Sequence, residues 1–453
     1  MASKSKSSLN VINLNAAGID IGATSHFIAV PADRCEEPVQ EFQCFTSDLQ
    51  RAARWLVDLG ITTVAMESTG IYWLPLMEIL EAHGMEVKLV NARHVKNLPG
   101  RKTDVLDCQW LQRLHSYGLL EGAFQPDQTI TPLRAYTRHR DNWIRHAGTH
   151  IQHMQKSLRL MNLNLDAVVS DITGATGKKI ILAILSGERD PLVLAKLRDS
   201  RCKRSEGEIA HALDGHYRDE HLFALKQAFE LYVFYQQQIE ECDRQLQSYL
   251  EQLNIDTPQE HAECLLKKRP RPRGNEPRFD LRRELYRLLG VDLTAIDGVA
   301  SYTVLKVISE IGTDISRWKN SNCFCSWLGL SPGSKISGGK LLSGKTKPTA
   351  NRAAAALRMA AQSLSNSHSA LGAFYRKKRY QLGAAKAITA TAHKLARIIY
   401  ALLSNGGSYD DPGEHAFEEK YQQRVRQNLK RKARKMGYAL VDIETGEPAS
   451  ALL

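Results

Sequence analysis

No stretch of this chain stays apolar for the roughly 18 to 20 residues that a membrane-crossing helix needs. A membrane partner is therefore not expected. Paired cysteines are missing too: the eight cysteines are scattered singly apart from Cys323 and Cys325, and no C-x-x-C occurs. That pattern supports neither a zinc module nor a disulfide framework, and it suits a reducing cytoplasm. The opening residues, MASKSKSSLNVINLN, carry lysines but no apolar segment ahead of a cleavage site, so they read as a frayed cytosolic start.

What the chain has in excess is positive charge, a net +12 over 453 residues. The commonest partner for such an excess is nucleic acid, because each phosphate that a lysine or arginine neutralises releases condensed counterions. With 43% hydrophobic and 24% charged residues the composition is that of a globular protein, long enough for about two to four domains.

Residues 16–31, AAGIDIGATSHFIAVP, read as a strand, a glycine turn and a second strand, and VQEFQCF supplies a third. SDLQRAARWLVDLG follows as a helix with Ser47 as its expected N-cap and Gly60 as its stop. ITTVAMEST is then a buried strand, YWLPLMEILEAHG a helix and MEVKLVNA another strand, with a helix around Asp104 running to about Leu120. Strands alternating with helices predict an α/β sheet covered by helices. Gln125 to Pro132 marks a domain exit. Beyond it lie a basic helix over 133–165, shorter helices over 170–220 and a long helix over 224–253. The last carries Leu225, Phe229, Tyr232, Val233, Ile239, Leu246 and Leu250 at three- and four-residue steps, the pattern of a coiled-coil arm. A proline- and arginine-rich linker, 267–278, cannot be helical throughout. After it, LTAIDGVASYTVLKVISEIG reads as helix, turn and helix, similar to a helix-hairpin-helix. A glycine- and lysine-rich loop, an alanine-rich helix and a basic end, 424–435, complete the chain.

Within GRKTDVLDCQWL, Asp104 and Asp107 stand three residues apart and so share one helical face. By themselves they are most simply a solvated pair balanced by Arg101 and Lys102. Two further acids alter that reading. Asp20 sits inside GIDIG, where its apolar neighbours imply a buried strand and an uncompensated carboxylate would be costly. Glu67 closes the apolar run TTVAME, at the sheet edge where α/β proteins gather ligands. Four carboxylates brought together oppose one another, and protonation or a divalent cation relieves them. Their hard oxygens suit Mg²⁺ or Mn²⁺, and paired ions of that kind serve phosphoryl transfer.

GIDIGATSHFIAV, AMESTGIYW and GRKTDVLDCQWL resemble the three acidic motifs of the DEDD transposases of bacterial insertion sequences. SDITGATGKKIILAILSGERDP resembles the middle region of one subgroup. IDGVASYTVLKVISEIG, WLGLSPGSKISGGK and KTKPTANRAAAALRMAA resemble the C-terminal transposase domain. The resemblance covers nearly the whole chain except the first dozen residues and the last thirty. It implies a RuvC-like, ribonuclease-H-fold catalytic domain over 1–128, a helical coiled-coil region with its linker over 129–284, a mostly α transposase domain over 285–405 and a basic tail over 406–453. It also implies that Asp20, Glu67, Asp104 and Asp107 bind Mg²⁺ or Mn²⁺ and that Ser337 is the nucleophile.

Around Ser337, Gly338 and Gly339 allow close approach of backbone to a phosphate, while Lys335, Lys340 and Lys347 supply charge. Ser334 and Ser343 share the loop, so the choice of Ser337 rests on the resemblance. Pro348 departs from the family's more regular glycine–lysine pattern. The implied activity is recombination of donor and target DNA by a homo-tetramer, a dimer of dimers, directed by a structured bridge RNA transcribed from the element. The implied location is the bacterial cytoplasm, at the nucleoid. Three rivals remain from the residues: a junction nuclease that hydrolyses with water, a site-specific invertase of the same family, and a non-catalytic nucleic-acid scaffold. His146, His150 and His153 share a helical face, but no H-E-x-x-H or cysteine accompanies them, so a packed or nucleic-acid-facing helix is expected there.

Overall fold

The alternating first quarter of the chain folds into one mixed five-stranded sheet of order β3-β2-β1-β4-β5. Its strands are β1 (Ala16–Ile21), β2 (Ser25–Ala29), β3 (Val39–Gln43), β4 (Thr63–Glu67) and β5 (Glu86–Val90). β1 pairs antiparallel with β2 and parallel with β4; β2 and β3 are antiparallel, β4 and β5 parallel. This computed structural model describes residues 10–91, 104–253 and 274–441. Arg101, Lys102 and residues 267–273 of the expected linker lie outside the described residues. The chain divides into two compact units, 1–125 and 126–453.

In the first unit the odd-numbered residues of β1, Ala17, Ile19 and Ile21, join Val64 and Met66 of β4 in one hydrophobic core. Leu49 and Leu56 of α1 (Thr46–Asp58) and Leu76 and Leu80 of α2 (Trp73–Ala82) cover them. α1 starts one residue before the expected cap: Phe45 is its N-cap, with no side-chain hydrogen bond, and Ser47 lies inside the first turn. The burial of Leu49, Ala52, Ala53 and Leu56, rather than a hydroxyl cap, sets the start. The other face of the sheet carries α3 (Asp104–Ser116). α3 stops short of Leu120 because Gly118 turns left-handed at φ +68° and the Ser116 carbonyl accepts from the amides of Ile12 and Asn13. The sheet with its helices is compatible with a ribonuclease-H-like domain.

The second unit is mostly helical. α4 (Thr131–Leu160) and α5 (Asp219–Leu253) lie side by side, and Leu225, Phe229, Tyr232, Ile239, Leu246 and Leu250 of α5 are buried. Val233, expected in the same stripe, is 37% exposed. A fully buried Arg140 reaches from α4 to Asp243 on α5, so a charge pair and the apolar seam together hold the helices. His146 and His150 stack on Tyr235 with ring centroids 5.4 Å apart, while His153 is exposed. Short helices at Ala175–Leu185 and Glu206–Ala212 bury Ile180, Ile181, Ile184 and Ile209 in the core beside the pair.

α6 (Leu281–Leu289) and α7 (Ser301–Ile311) come next. The expected helix before Gly298 is only a 3-10 turn, Leu293–Ala295, capped by Asp292 on the Thr294 amide. Gly298, at φ +78°, ends it where a Cβ would stand 2.9 Å from the Ala360 carbonyl. Glu310 of α7 accepts from Arg134 and Arg138 of α4, at 3.1 and 2.7 Å, which docks this segment on the long helix.

α8 (Ser321–Trp327) leads to a hairpin, β6 (Lys335–Ser337) and β7 (Lys340–Ser343), and then to four helices. These are α9 (Arg352–Ser363), α10 (Ala370–Leu382), α11 (Ala384–Asn405) and α12 (Gly413–Lys435). Among the described residues no helix is long and apolar enough to cross a membrane.

Candidate active site

Gly18 is the residue that brings α3 onto the sheet. A Cβ there would lie 2.2 Å from the Gln112 amide nitrogen and 2.5 Å from the Cys108 carbonyl, so strand and helix touch backbone to backbone. The contact is pinned along its length. Gln112 Nε2 donates to the Ala16 carbonyl at 3.3 Å, Asn13 Nδ2 to the His115 carbonyl at 2.7 Å, and His115 Nε2 lies 2.8 Å from Thr63 Oγ1. Residues 12 to 18 thus meet α3 in the order Ser116, Gln112, Cys108, so helix and strand run antiparallel. The first turn of α3, holding Asp104 and Asp107, therefore faces the C-terminal ends of the parallel strands β1 and β4.

Asp20 and Glu67 occupy those ends. The β1–β4 register pairs Gly18 with Ala65 and Ile19 with Met66, so its continuation sets Asp20 level with Glu67. Side chains two apart on a strand share a face, which puts Asp20 on the side where Gly18 meets α3. Glu67 is buried at 6% exposure, Asp20 and Asp107 are half-buried and Asp104 is exposed.

The juxtaposition has an electrostatic consequence. Burial, then Glu67, Asp104 and Asp107, push the Asp20 carboxyl up from its ordinary 3.8 to about 6. Burial, with Asp20 next, pushes the Cys108 thiol up to about 12, so this cysteine stays a neutral packing residue.

The donor chemistry of four carboxylates fits a hard divalent cation, and the burial and like charge that raise Asp20 are what such a cation relieves. The fit is one of chemistry and electrostatic neighbourhood: among the described residues no three His, Cys, Asp or Glu side chains form a closed ligand group. Sequence reasoning missed Gly18, Gln112 and His115, which hold α3 against β1 and β4. The signal for Gly18 was present, since a glycine inside a buried strand marks close backbone approach.

Ser337 belongs to the second unit and ends β6, opposite Lys340 in the hairpin register. The expected loop is a two-residue hairpin. Gly338 and Gly339 take φ +54° and +76°, the left-handed pair that such a turn demands. The bridge Pro332–Thr346 and the bond from Gly333 N to the Lys345 carbonyl continue the pairing past the ladder. Ser337, Gly338, Gly339, Lys340 and Lys347 are all exposed.

Two family models match the chain. A DEDD transposase model of the IS110 type, described as transposase, covers residues 17–163 and so includes Asp20, Glu67, Asp104 and Asp107. A second, the transposase IS116/IS110/IS902 family, covers residues 291–376 and includes Ser337. No curated protein matches the chain. The sheet edge with its four acids lies inside the first match, the glycine hairpin lies inside the second, and the chain belongs to the IS110-type family of DEDD transposases, enzymes that act on DNA.

Proposed function

We propose that this transposase cuts and rejoins DNA strands with Asp20, Glu67, Asp104 and Asp107 as its metal-binding carboxylates and Ser337 as its nucleophile. The observation that carries the reading is Asp20, a half-buried carboxyl surrounded electrostatically by three other acids at a sheet edge. Members of a DEDD family depend in general on a divalent metal, and Mg²⁺ or Mn²⁺ is the expected occupant. The bound ion would supply positive charge for the phosphate oxygens and lower the proton affinity of the attacking oxygen. Glu67 and Asp20, on adjacent strands, would hold its inner side; Asp104 and Asp107 would approach from α3.

Ser337 Oγ would attack the scissile phosphorus, forming a phosphoserine ester as the bond to one deoxyribose oxygen breaks; that oxygen leaves as a hydroxyl. Attack by a second strand's hydroxyl would reverse the chemistry and free the serine. Gly338, Gly339, Lys335 and Lys340 would meet the phosphate beside the nucleophile, with Lys347 further along; Arg101 and Lys102 would grip DNA ahead of α3. The family reading also supplies a RuvC-like first domain over 1–128, a helical region over 129–284, a transposase domain over 285–405 and a tail over 406–453. Its further parts are a structured bridge RNA that selects donor and target DNA, assembly as a homo-tetramer, and work at the nucleoid.

The test is a denaturing gel of the purified protein incubated with labelled element-end DNA and Mg²⁺. A protein–DNA adduct that vanishes in Ser337→Ala and in Asp20→Asn supports the reading. Cleavage that survives Ser337→Ala without an adduct identifies a nuclease that uses water. Full activity in Asp20→Asn would reduce the protein to a scaffold. Sequencing RNA that co-purifies from the host tests the guide separately: absence of a discrete transcript from the element's flank removes the RNA and leaves the recombinase.

A further inference from the structure

The last three helices of the second unit enclose a recess of about 640 Å³. That lies within the ~300–1,000 Å³ of cavities that hold a nucleotide-sized group. α12 is anchored against α10 by side chains outside the recess. Asp411 accepts from the Ala370 amide at 3.1 and 3.2 Å, at the first residue of α10, and Glu414 accepts from Arg376 at 2.5 Å. These ties give the recess a standing wall rather than one assembled on binding.

Two kinds of side chain line it. Phe374 and Phe417, edge to face with centroids 6.3 Å apart, supply flat ring surface, while the ring of Tyr421 is covered by the Lys377 ammonium, which also pairs with Glu418. Lys394, Arg397, Lys420 and Arg424 supply charge, and no carboxylate is in the lining. Lys394 sits between the rings, its Nζ 4.6 Å from the centre of Phe374 and 5.4 Å from that of Phe417. Burial lowers its proton affinity and Arg424 adds to that, while Asp411 works against both. Among the described residues Arg397, Lys420 and Arg424 form no ion pair. α12 has no fully buried residue of its own.

A half-buried Lys394 and exposed Arg397, Lys420 and Arg424, with no acid in the lining, favour an anion, and rings beside them favour a planar group. A duplex offers the anion but keeps its bases stacked inside. A strand with a splayed nucleotide offers both the phosphate and the face of the base. We propose that this recess binds one unstacked nucleotide of a single-stranded nucleic acid, with the base against the Phe374 and Phe417 rings and the phosphate on Lys420, Arg424 and their neighbours. The site shares no residue with the carboxylates or the hairpin and requires neither.

The test uses the full-length protein in EDTA, so that binding is read apart from any strand cutting. Fluorescein-labelled oligo-dT, oligo-U and a blunt DNA duplex are titrated by anisotropy, and bromouracil-substituted strands are photo-crosslinked and mapped by mass spectrometry. Crosslinks should fall on the peptides that carry Phe374 or Phe417. Lys420→Gln with Arg424→Gln, two exposed positions, should weaken single-strand binding at least about five-fold and flatten its salt dependence by roughly one in slope. Phe417→Leu should abolish the crosslink there and leave duplex binding unchanged. The stronger of the dT and U arms identifies DNA or RNA as the source. Crosslinks confined to other segments, or equal weakening of duplex and single strand by the double variant, would overturn the proposal.

Discussion

The carboxylate edge of the five-stranded sheet and the glycine hairpin at Ser337 both lie inside family-matched segments, yet they are built in opposite ways. The acids come from three elements separated by up to 87 positions between Asp20 and Asp107 and meet because Gly18 lets α3 lie on β1. The hairpin is local: three strand residues before two glycines and four after them hold Ser337 at the surface. Buried like charge makes the first site sensitive to pH, packing and metal. Exposure leaves the second with little to lose in stability, so under the proposed function its loss would be read in chemistry alone.

Four experiments would break or sharpen that contrast. Ser337→Ala should lower adduct formation at least about 10³-fold. Its unfolding free energy should stay within about 0.5 kcal/mol of the parent by urea denaturation, because the side chain is exposed. A clear loss of stability would show that the hairpin is structural.

Gly18→Ala should cost about 3 kcal/mol, since the added methyl falls on the α3 backbone, and should weaken metal binding along with stability. Thermal unfolding with and without Mg²⁺ reads both; an unchanged midpoint would mean that α3 is free to shift.

Asp20→Asn should stabilise the metal-free protein at pH 7 by about 1–3 kcal/mol. Asp20 has its folded-state affinity raised from 3.8 to about 6. Ionised, it therefore opposes folding: the protein loses this contribution as pH rises through that window and keeps it below about pH 4. The gain in the variant should vanish there, and Mg²⁺ should stabilise only the parent. A difference independent of pH would separate Asp20 from the other acids. The smallest effect is expected for Gly339→Ala, about 1 kcal/mol from the left-handed backbone, with near-normal folding of the rest of the chain.

Much of this was legible in the residues. The strands AAGIDI, SHFIA and TVAME, and the shared face of Asp104 and Asp107, follow from periods of two and 3.6. Where reading failed, a tertiary contact or an overlooked turn had decided. Ser47 does not cap α1 because core burial begins the helix earlier. Residues 293–295 form only a 3-10 turn, because Ile296 already leaves the helix in extended backbone and Gly298 turns left-handed beyond it. The segment around Ser337 reads as a loop on its glycine and lysine content, although adjacent glycines flanked by strand-compatible residues are a hairpin signal.

Periodicity, charge and motif order by themselves determined the α/β first unit, the long helices, the basic character and the family. Spacing along a chain carries those because they depend on neighbours. Which acids confront Asp20, that α3 runs antiparallel along β1, and that rings and cations of three helices share one recess were decided only in the folded molecule. Each depends on backbones packing at contact distance between residues far apart in sequence, and no local pattern encodes that distance.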